Sequence, residues 1–388
     1  MAPAAADLAR WVPRLLAAWR RSRRAPQRGP RPPPDRLLPE ELREVAAAVE
    51  RLSLGLTRDR RLAGARYLDD EKLLGAYLLF YWPVSYLQAR GVLSELPRRP
   101  RTALDLGSGP GPVAFAALDA GAAEVLAADR SARALAAARS LAGLSGEPLA
   151  TREWSPGRTG LGDLARGRAL DLVTLGHVLN ELFLGEAAAA RRAAFLSEAL
   201  DLLAPGGSLV VIEPALRETS RALLEVRDRL VAGGVSVRAP CLYRGSCPAL
   251  VRSGDWCHAE RRVELPPLVE EIGRRAGLRK EAVKMSYLVL APRGESWPEA
   301  PAGRIFRIVS EPLPSKGRLR YMGCGPEGRI GLALQEKDRS EANRAFDDLA
   351  RGDVVEVGGA EPRGDGLRLG RESGVRVLAA AGSPLPAP

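Results

Sequence analysis

The stretch "TALDLGSGPGPVAFAALDAG", residues 102–121, decides the fold. It opens on a short, mostly apolar run, breaks at Gly107, Gly109 and Gly111, and closes on alanine-rich helix formers. That order reads as a buried strand, a tight turn and a helix. Glycines suit such a turn because the backbone must bend sharply and a ligand must approach with no Cβ in the way. A dinucleotide fingerprint would put its third glycine at position 112. That position is Pro112, so the spacing is GxGxG.

Working outward, the pattern repeats. "EVLAADRS" (124–131) and "SARALAAARSLAG" (131–143) give a second strand and helix, and "LDLVTLGHVLNEL" (170–182) a strand ending in polar residues. "RRAAFLSEALDLLAPGGSLVVIEP" (191–214) adds a helix, a Gly-Gly turn and a buried strand. "PPLVEEIGRRAGL" (266–278) and "AVKMSYLVLAPRG" (282–294) supply a last helix and strand. Strands alternating with helices predict an α/β fold with a parallel sheet.

"LDLGSGPGP", with Asp105 two residues before the first glycine, resembles the S-adenosylmethionine-binding motif of class I methyltransferases. Asp129 ends the next strand, where such Rossmann-like folds place an acid on the ribose hydroxyls. The resemblance implies S-adenosylmethionine as cofactor, with Asp105, Gly107, Ser108, Gly109, Gly111 and Asp129 around it and His177 at the end of a later strand. Methyltransferases that act on base amino groups carry an Asn/Asp-Pro-Pro-aromatic motif there. This chain has "LGHVLNEL" instead, with His177, Asn180 and Glu181, groups fit for acid–base work or for capping a helix. No catalytic residue is assigned, and an enzymatic activity is left open.

The four cysteines are unevenly placed. Cys241, Cys247 and Cys257 crowd into a polar loop within 238–260, and Cys324 follows much later in "YMGCGPEG". So few cysteines in 388 residues exclude a disulfide scaffold. Buried core thiols, zinc and an iron–sulfur cluster compete as readings. Structural zinc favours cysteine pairs ~2–4 residues apart, whereas here five, nine and 66 residues intervene. A four-thiolate iron–sulfur cluster tolerates wider spacing, which leans the expectation that way with zinc as the alternative. Pro240-Cys241 also resembles the nucleophile of cytosine-5 RNA methyltransferases, but it follows the fifth strand rather than the fourth.

The flanks differ in character. Residues 1–36 hold nine arginines against Asp7 and Asp35, a net +7 of the chain's +11. This predicts a flexible basic arm that contacts nucleic acid, or an organellar targeting segment. Residues 37–98 read as a helical lead-in, with Asp69 or Asp70 as a cap and Pro83 kinking or ending the helix. Residues 99–296 form the methyltransferase-like domain, and 297–378 a small β-rich, barrel-like domain containing a helix near 338–350. There Arg304, Arg307, Lys316, Arg318 and Arg320 face only Glu311 and extend the expected RNA surface. Residues 379–388 read as a disordered tail. No run approaches the ~18 apolar residues of a membrane span.

Together these pieces resemble the methyltransferase-like family associated with the mitochondrial small ribosomal subunit and its bacterial relatives. The matching stretches are "AYLLFYWPVSYLQARGVLSEL", "LDLGSGPG", "LGHVLNEL", "APCLYRGSCPALVRSGDWCHAERR" and "KMSYLVLAPR", with the late Cys324. The resemblance implies a [4Fe-4S] cluster on Cys241, Cys247, Cys257 and Cys324. It also implies bound S-adenosylmethionine and work on the small subunit and its rRNA during assembly. A protein monomeric off the ribosome is expected. A bacterial-type cytoplasm is the expected location, or the mitochondrial matrix if the arm is a transit peptide.

Overall fold

The computed structural model describes residues 2–23, 33–299 and 303–385. Its centre is an eight-stranded sheet. The parallel part comprises β1 (Thr102–Leu106), β2 (Glu124–Asp129), β3 (Leu149–Glu153), β4 (Leu170–Gly176) and β5 (Leu203–Pro214). β6 (Val237–Ala239), β7 (Ala259–Arg262) and β8 (Ala282–Leu290) complete it, β8 running antiparallel to β5. The order is β3-β2-β1-β4-β5-β8-β6, with β7 on β8.

Successive residues of these strands bury on opposite faces. Ala103, Leu172 and Val210 join one core; Leu104, Val173 and Val211 join the other. Covering both faces is what a parallel sheet requires. Because β2 and β4 flank β1, the strand order reverses there and a crevice opens beyond the strand ends, where such sheets bind ligands.

The N-terminal segment corrects the sequence reading. Residues 2–22 are not a flexible arm but helix α1 (Ala2–Ser22), with Leu8, Trp11, Leu15, Leu16 and Trp19 buried. The Trp11 ring lies 5.5 Å from that of Trp82 and 4.7 Å from that of Phe115, and its Nε1 donates to Asp119 at 3.0 Å. Arg10 pairs with the same carboxylate, and Arg20 and Arg23 pair with Glu41 and Glu44. Those arginines are therefore engaged within the protein. Arg24, Arg28 and Arg31 lie outside the described residues.

The lead-in continues with α2 (Pro39–Ser53), α3 (Glu71–Ala76) and α4 (Trp82–Leu93). Asp70 caps α3, accepting from Leu73 N at 2.9 Å. Pro83 does not end the helix. The turn Tyr77–Tyr81 widens to π geometry, with Trp82 N–H reaching Tyr77 O, and Pro83 sits in the first turn of α4, where its missing N–H costs little. Helices α5 (Pro112–Asp119), α6 (Ala132–Ser145), α7 (Leu161–Ala165), α8 (Ala188–Leu200), α9 (Arg217–Ala232) and α10 (Pro267–Arg275) complete the two helical layers.

The β-rich domain holds β9 (Ile305–Ile308), β10 (Leu313–Ser315), β11 (Arg318–Gly325), β12 (Gly328–Gln335), β13 (Val354–Gly358), β14 (Glu361–Arg363), β15 (Gly366–Leu369) and β16 (Gly374–Ala379). The pairing order β14-β15-β12-β11-β9-β13-β16, with β10 on β11, does not close on itself among the described residues, so the sheet is not a sealed barrel. The helix expected near 338–350 is a pair of 3-10 segments, Glu336–Asp338 and Glu341–Asp348. Buried Asn343 donates to Asp338 O and Gly370 O, a local competition that disfavours an α-helix. The expected disordered tail is ordered through Leu385: Ala379 ends β16, Ala381 N–H donates to Asp353, and Gly382 O accepts from Ser94. Residues 386–388 lie outside the described residues.

Candidate functional site

The crevice at the ends of β1 and β4 is a cavity of about 330 Å³ lined by Gly107, Gly109, Asp129 and His177, among others. Gly107, Gly109 and Gly111 have φ of 68°, 52° and 83°, left-handed values that β-carbon-bearing residues resist. A Cβ on Gly107 would also collide with Val178. Asp129 fixes the turn from below: its carboxylate accepts Gly109 N–H and Ser131 N–H, both at 2.8 Å. Burial pushes its carboxyl upward, against those two bonds.

Asp105, Ser108 and Gly111 do not line this cavity. Asp105 is buried beneath it, accepting Thr174 Oγ1 at 2.7 Å and Ala114 N–H at 3.1 Å, so it joins β1, β4 and α5. Burial pushes its carboxyl up to about 7. Gly107 and Ser108 N–H both donate to Ala128 O, at 2.8 and 3.0 Å, and Gly111 caps α5.

His177 leaves β4 with φ 61°, a strained value for a non-glycine residue that marks functional sites. Its N–H donates to Ile212 O at 2.7 Å and its Nε2 meets Gln88 Oε1 at 2.7 Å. Burial, with Lys280 nearby, lowers it to about 4, so the ring is neutral. Glu181, not among the expected cofactor residues, also faces the cavity; burial raises it to about 7. Tyr67, Tyr77 and Trp154 join it from the lead-in and from beyond β3. Only the polar ending of "LGHVLNEL" signalled Glu181.

The second site lies where the two sheets meet. Cys241 follows β6, Cys247 opens a 3-10 turn at Pro248–Leu250, Cys257 precedes β7, and Cys324 lies in β11. All four are free thiols and line one cavity of about 60 Å³. Burial raises each of them, Cys247 to about 12 and Cys257 to about 11. Among the described residues, no three His, Cys, Asp or Glu side chains converge closely enough to grip a single ion.

Helix α9 shapes the cysteine loop. Arg221 donates to Ala249 O, Arg252 O and Asp255 O at 2.8–3.0 Å. Arg227 donates to Tyr243 O and Gly245 O, and Asp228 accepts Cys247 N–H at 2.9 Å. Asp255 in turn pairs with Arg329 of β12 at 2.5 Å. Near this loop, Arg227 Nε, Trp256 Nε1, Arg307 Nε and Arg329 Nε are buried N–H donors without an acceptor among the described residues.

On the β-rich domain, Arg304, Lys316, Arg318 and Arg320 are exposed, as an RNA-facing surface needs, but Arg307 is buried. It donates to Glu95 at 3.4 Å and to Gly352 O at 3.1 Å. It belongs to the domain junction. No helix among the described residues is long and apolar enough to cross a membrane.

Solved methyltransferase structures are similar at low identity. A ribosomal protein L11 methylase from Lactobacillus delbrueckii subsp. bulgaricus is 18% identical, covering 54% of this chain and 78% of that one, with a TM-score of 0.32. A methyltransferase from Pyrococcus furiosus is 14% identical over 54% and 83%, TM-score 0.36. A precorrin-6y C5,15-methyltransferase from Geobacter metallireducens is 15% identical over 53% and 87%, TM-score 0.33. No curated protein matches the sequence. The strand order, the glycine turn at the switch point and the acid ending β2 make the body a class I methyltransferase fold. A family model matches residues 74–356, and the chain belongs to that family, described as mitochondrial small ribosomal subunit Rsm22.

Proposed function

We propose that this protein serves the small ribosomal subunit during its assembly, contacting rRNA, binding S-adenosylmethionine and holding a [4Fe-4S] cluster on Cys241, Cys247, Cys257 and Cys324. The family's description supports the ribosomal part and favours the mitochondrial matrix over the cytoplasm as the place of work. Off the ribosome it acts as a monomer.

One observation carries the cluster: four thiols from two domains, far apart in sequence, line one cavity. A single water needs only about 10–15 Å³, so about 60 Å³ leaves room for a larger group. The Nε–H groups of Arg227, Arg307 and Arg329 and the indole N–H of Trp256, which have no acceptor among the described residues, supply donors of the kind that sulfur accepts. When bound, such a cluster supplies thiolate bonds across the domain junction and an electron-transfer centre. The chain's own work there is done by Arg221 and Arg227, which hold the loop, and by Cys324, which brings in the second domain.

For S-adenosylmethionine, Gly107 and Gly109 leave room for a close approach. Asp129 retains lone pairs for hydroxyl donors, and neutral His177 and Glu181 border the far wall. The cofactor supplies an activated methyl group; the residues bind and orient it and exclude water. Active rRNA methylation is the second reading.

Anaerobic purification followed by absorption spectroscopy tests the cluster. Broad absorbance near ~400 nm, lost in Cys324→Ser, is expected. A colourless protein after anaerobic iron–sulfide reconstitution refutes it. Salt-dependent binding to small-subunit RNA, weakening steeply between ~50 and 200 mM, tests the RNA contact.

A further inference from the structure

A second cavity, of about 530 Å³, adjoins the glycine-turn crevice. Tyr67, Tyr77, His177 and Glu181 line both, so whatever occupies one lies a side chain away from the other. Its volume falls in the range of small-molecule sites, about 300–1,000 Å³.

Three features of its wall point to one ligand chemistry. Tyr77 and Tyr81 stack with ring centroids 6.1 Å apart and 24° between planes, offering an aromatic face to a planar ring. Gln88 reads the His177 tautomer: its Nε2 donates to Lys284 O at 2.8 Å, so its Oε1 is left to accept from His177 Nε2–H. His177 Nδ1 is then a bare acceptor, and no described residue donates to it. Lys280 reaches the cavity with no ion-pair or hydrogen-bond partner among the described residues. Of the other cations on its wall, Lys284 pairs with Glu260 at 3.0 Å, Arg60 donates to Asn180 at 2.7 Å, and Arg279 is exposed to solvent where Lys280 is half-buried.

We propose that this chamber seats a nucleotide: its base lies against Tyr77 and Tyr81, a base N–H donates to His177 Nδ1, and its phosphate pairs with Lys280. Extruded bases are read in this way, by stacking and by hydrogen bonds to their polar edge. A free mononucleotide and a nucleotide swung out of an RNA strand share this chemistry. The chamber is the acceptor seat only if the neighbouring crevice holds S-adenosylmethionine, so that part rests on the function proposed above. Gln88 is a positioning residue, because it acts through the His177 tautomer.

Isothermal titration of the full chain with the four nucleoside monophosphates, their nucleosides and a short single-stranded RNA tests the seat. S-adenosylhomocysteine is titrated separately. A monophosphate is expected to bind at least about tenfold tighter than its nucleoside, the advantage of one charge-assisted contact, and Lys280→Met should abolish that difference. Tyr81→Leu, at a ring that lines this chamber and not the cofactor crevice, should weaken both ligands while leaving S-adenosylhomocysteine binding within about twofold. RNA binding that responds to the same two substitutions, without mononucleotide binding, identifies the strand as the source. If neither nucleotide nor RNA responds while S-adenosylhomocysteine binds, the seat is wrong and the cofactor reading stands. If S-adenosylhomocysteine alone fails, the cofactor reading falls and the nucleotide titration still decides the seat.

Discussion

Arg307 of the β-rich domain donates to Glu95, 212 residues earlier in the chain, at a junction where both side chains are almost fully buried. Arg261 reaches the same carboxylate at 2.9 Å and Tyr287 Oη donates to it at 2.7 Å. One acid thus pairs with two guanidinium groups from two domains.

Removing Glu95 would leave those guanidinium groups uncompensated in the interior. Glu95→Ala should therefore destabilise by about 3–5 kcal/mol, the usual cost of breaking a buried pair from one side. Chemical denaturation measures it. Limited proteolysis should also cut sooner between the two sheets. A loss below about 1 kcal/mol would show that water reaches the junction.

Trp11→Ala should cost about 3–5 kcal/mol, because a large buried ring is lost from between Trp82 and Phe115. Deleting residues 2–22 should lower solubility as well, by exposing that apolar face. Thermal melts of the two variants check this. An N-terminal deletion as stable as the parent would mean that α1 is only loosely seated.

Gly107→Val should abolish S-adenosylhomocysteine binding, since the new side chain must occupy both a left-handed backbone position and the space of Val178. Calorimetric titration reads it out, with Gly143→Val as the control, since a Cβ there meets nothing within 4 Å. Binding retained within threefold would move the cofactor away from this turn.

Stability should fall as pH rises from about 5 to 8. Burial raises Asp105 and Glu181 to about 7 and Glu213 to about 8, far above ordinary values near 4. Between those limits the folded state binds more protons than the unfolded one, so raising pH favours unfolding. Glu213 Oε2 has no hydrogen-bond partner among the described residues, which disfavours its charged form. Melting temperature should drop by several degrees across that window, each tenfold difference in proton affinity between the two states being worth about 1.4 kcal/mol. Glu213→Gln should flatten the drop. A melting temperature that rises with pH in the parent would overturn the assignment.

The central fold was legible because glycine punctuation and buried aliphatic runs report local geometry directly. The Asp70 cap is local too. The seating of α1 was hidden behind its arginine count, although Leu8, Trp11, Leu15 and Trp19 recur at helical spacing and were available to be read. Arg307 could not be placed, because its partner Glu95 is distant in sequence and burial alone separates it from exposed Arg318 and Arg320. Asp105 misled in another way: the glycine motif draws it toward a ligand, while Thr174 and Ala114 N–H claim it from within the sheet. Lys280 and Gln88 carried no sequence signal, since their meaning depends on a chamber assembled from several segments distant in sequence.

The clasp that α9 makes on the cysteine loop has a thermodynamic corollary. Carbonyls tethered by Arg221 and Arg227 are already held, so the inorganic group proposed above would not need to freeze the loop and would keep more of its intrinsic affinity. Severing the clasp, by Arg221→Ala or Arg227→Ala, would then weaken retention of the guest without touching a single sulfur.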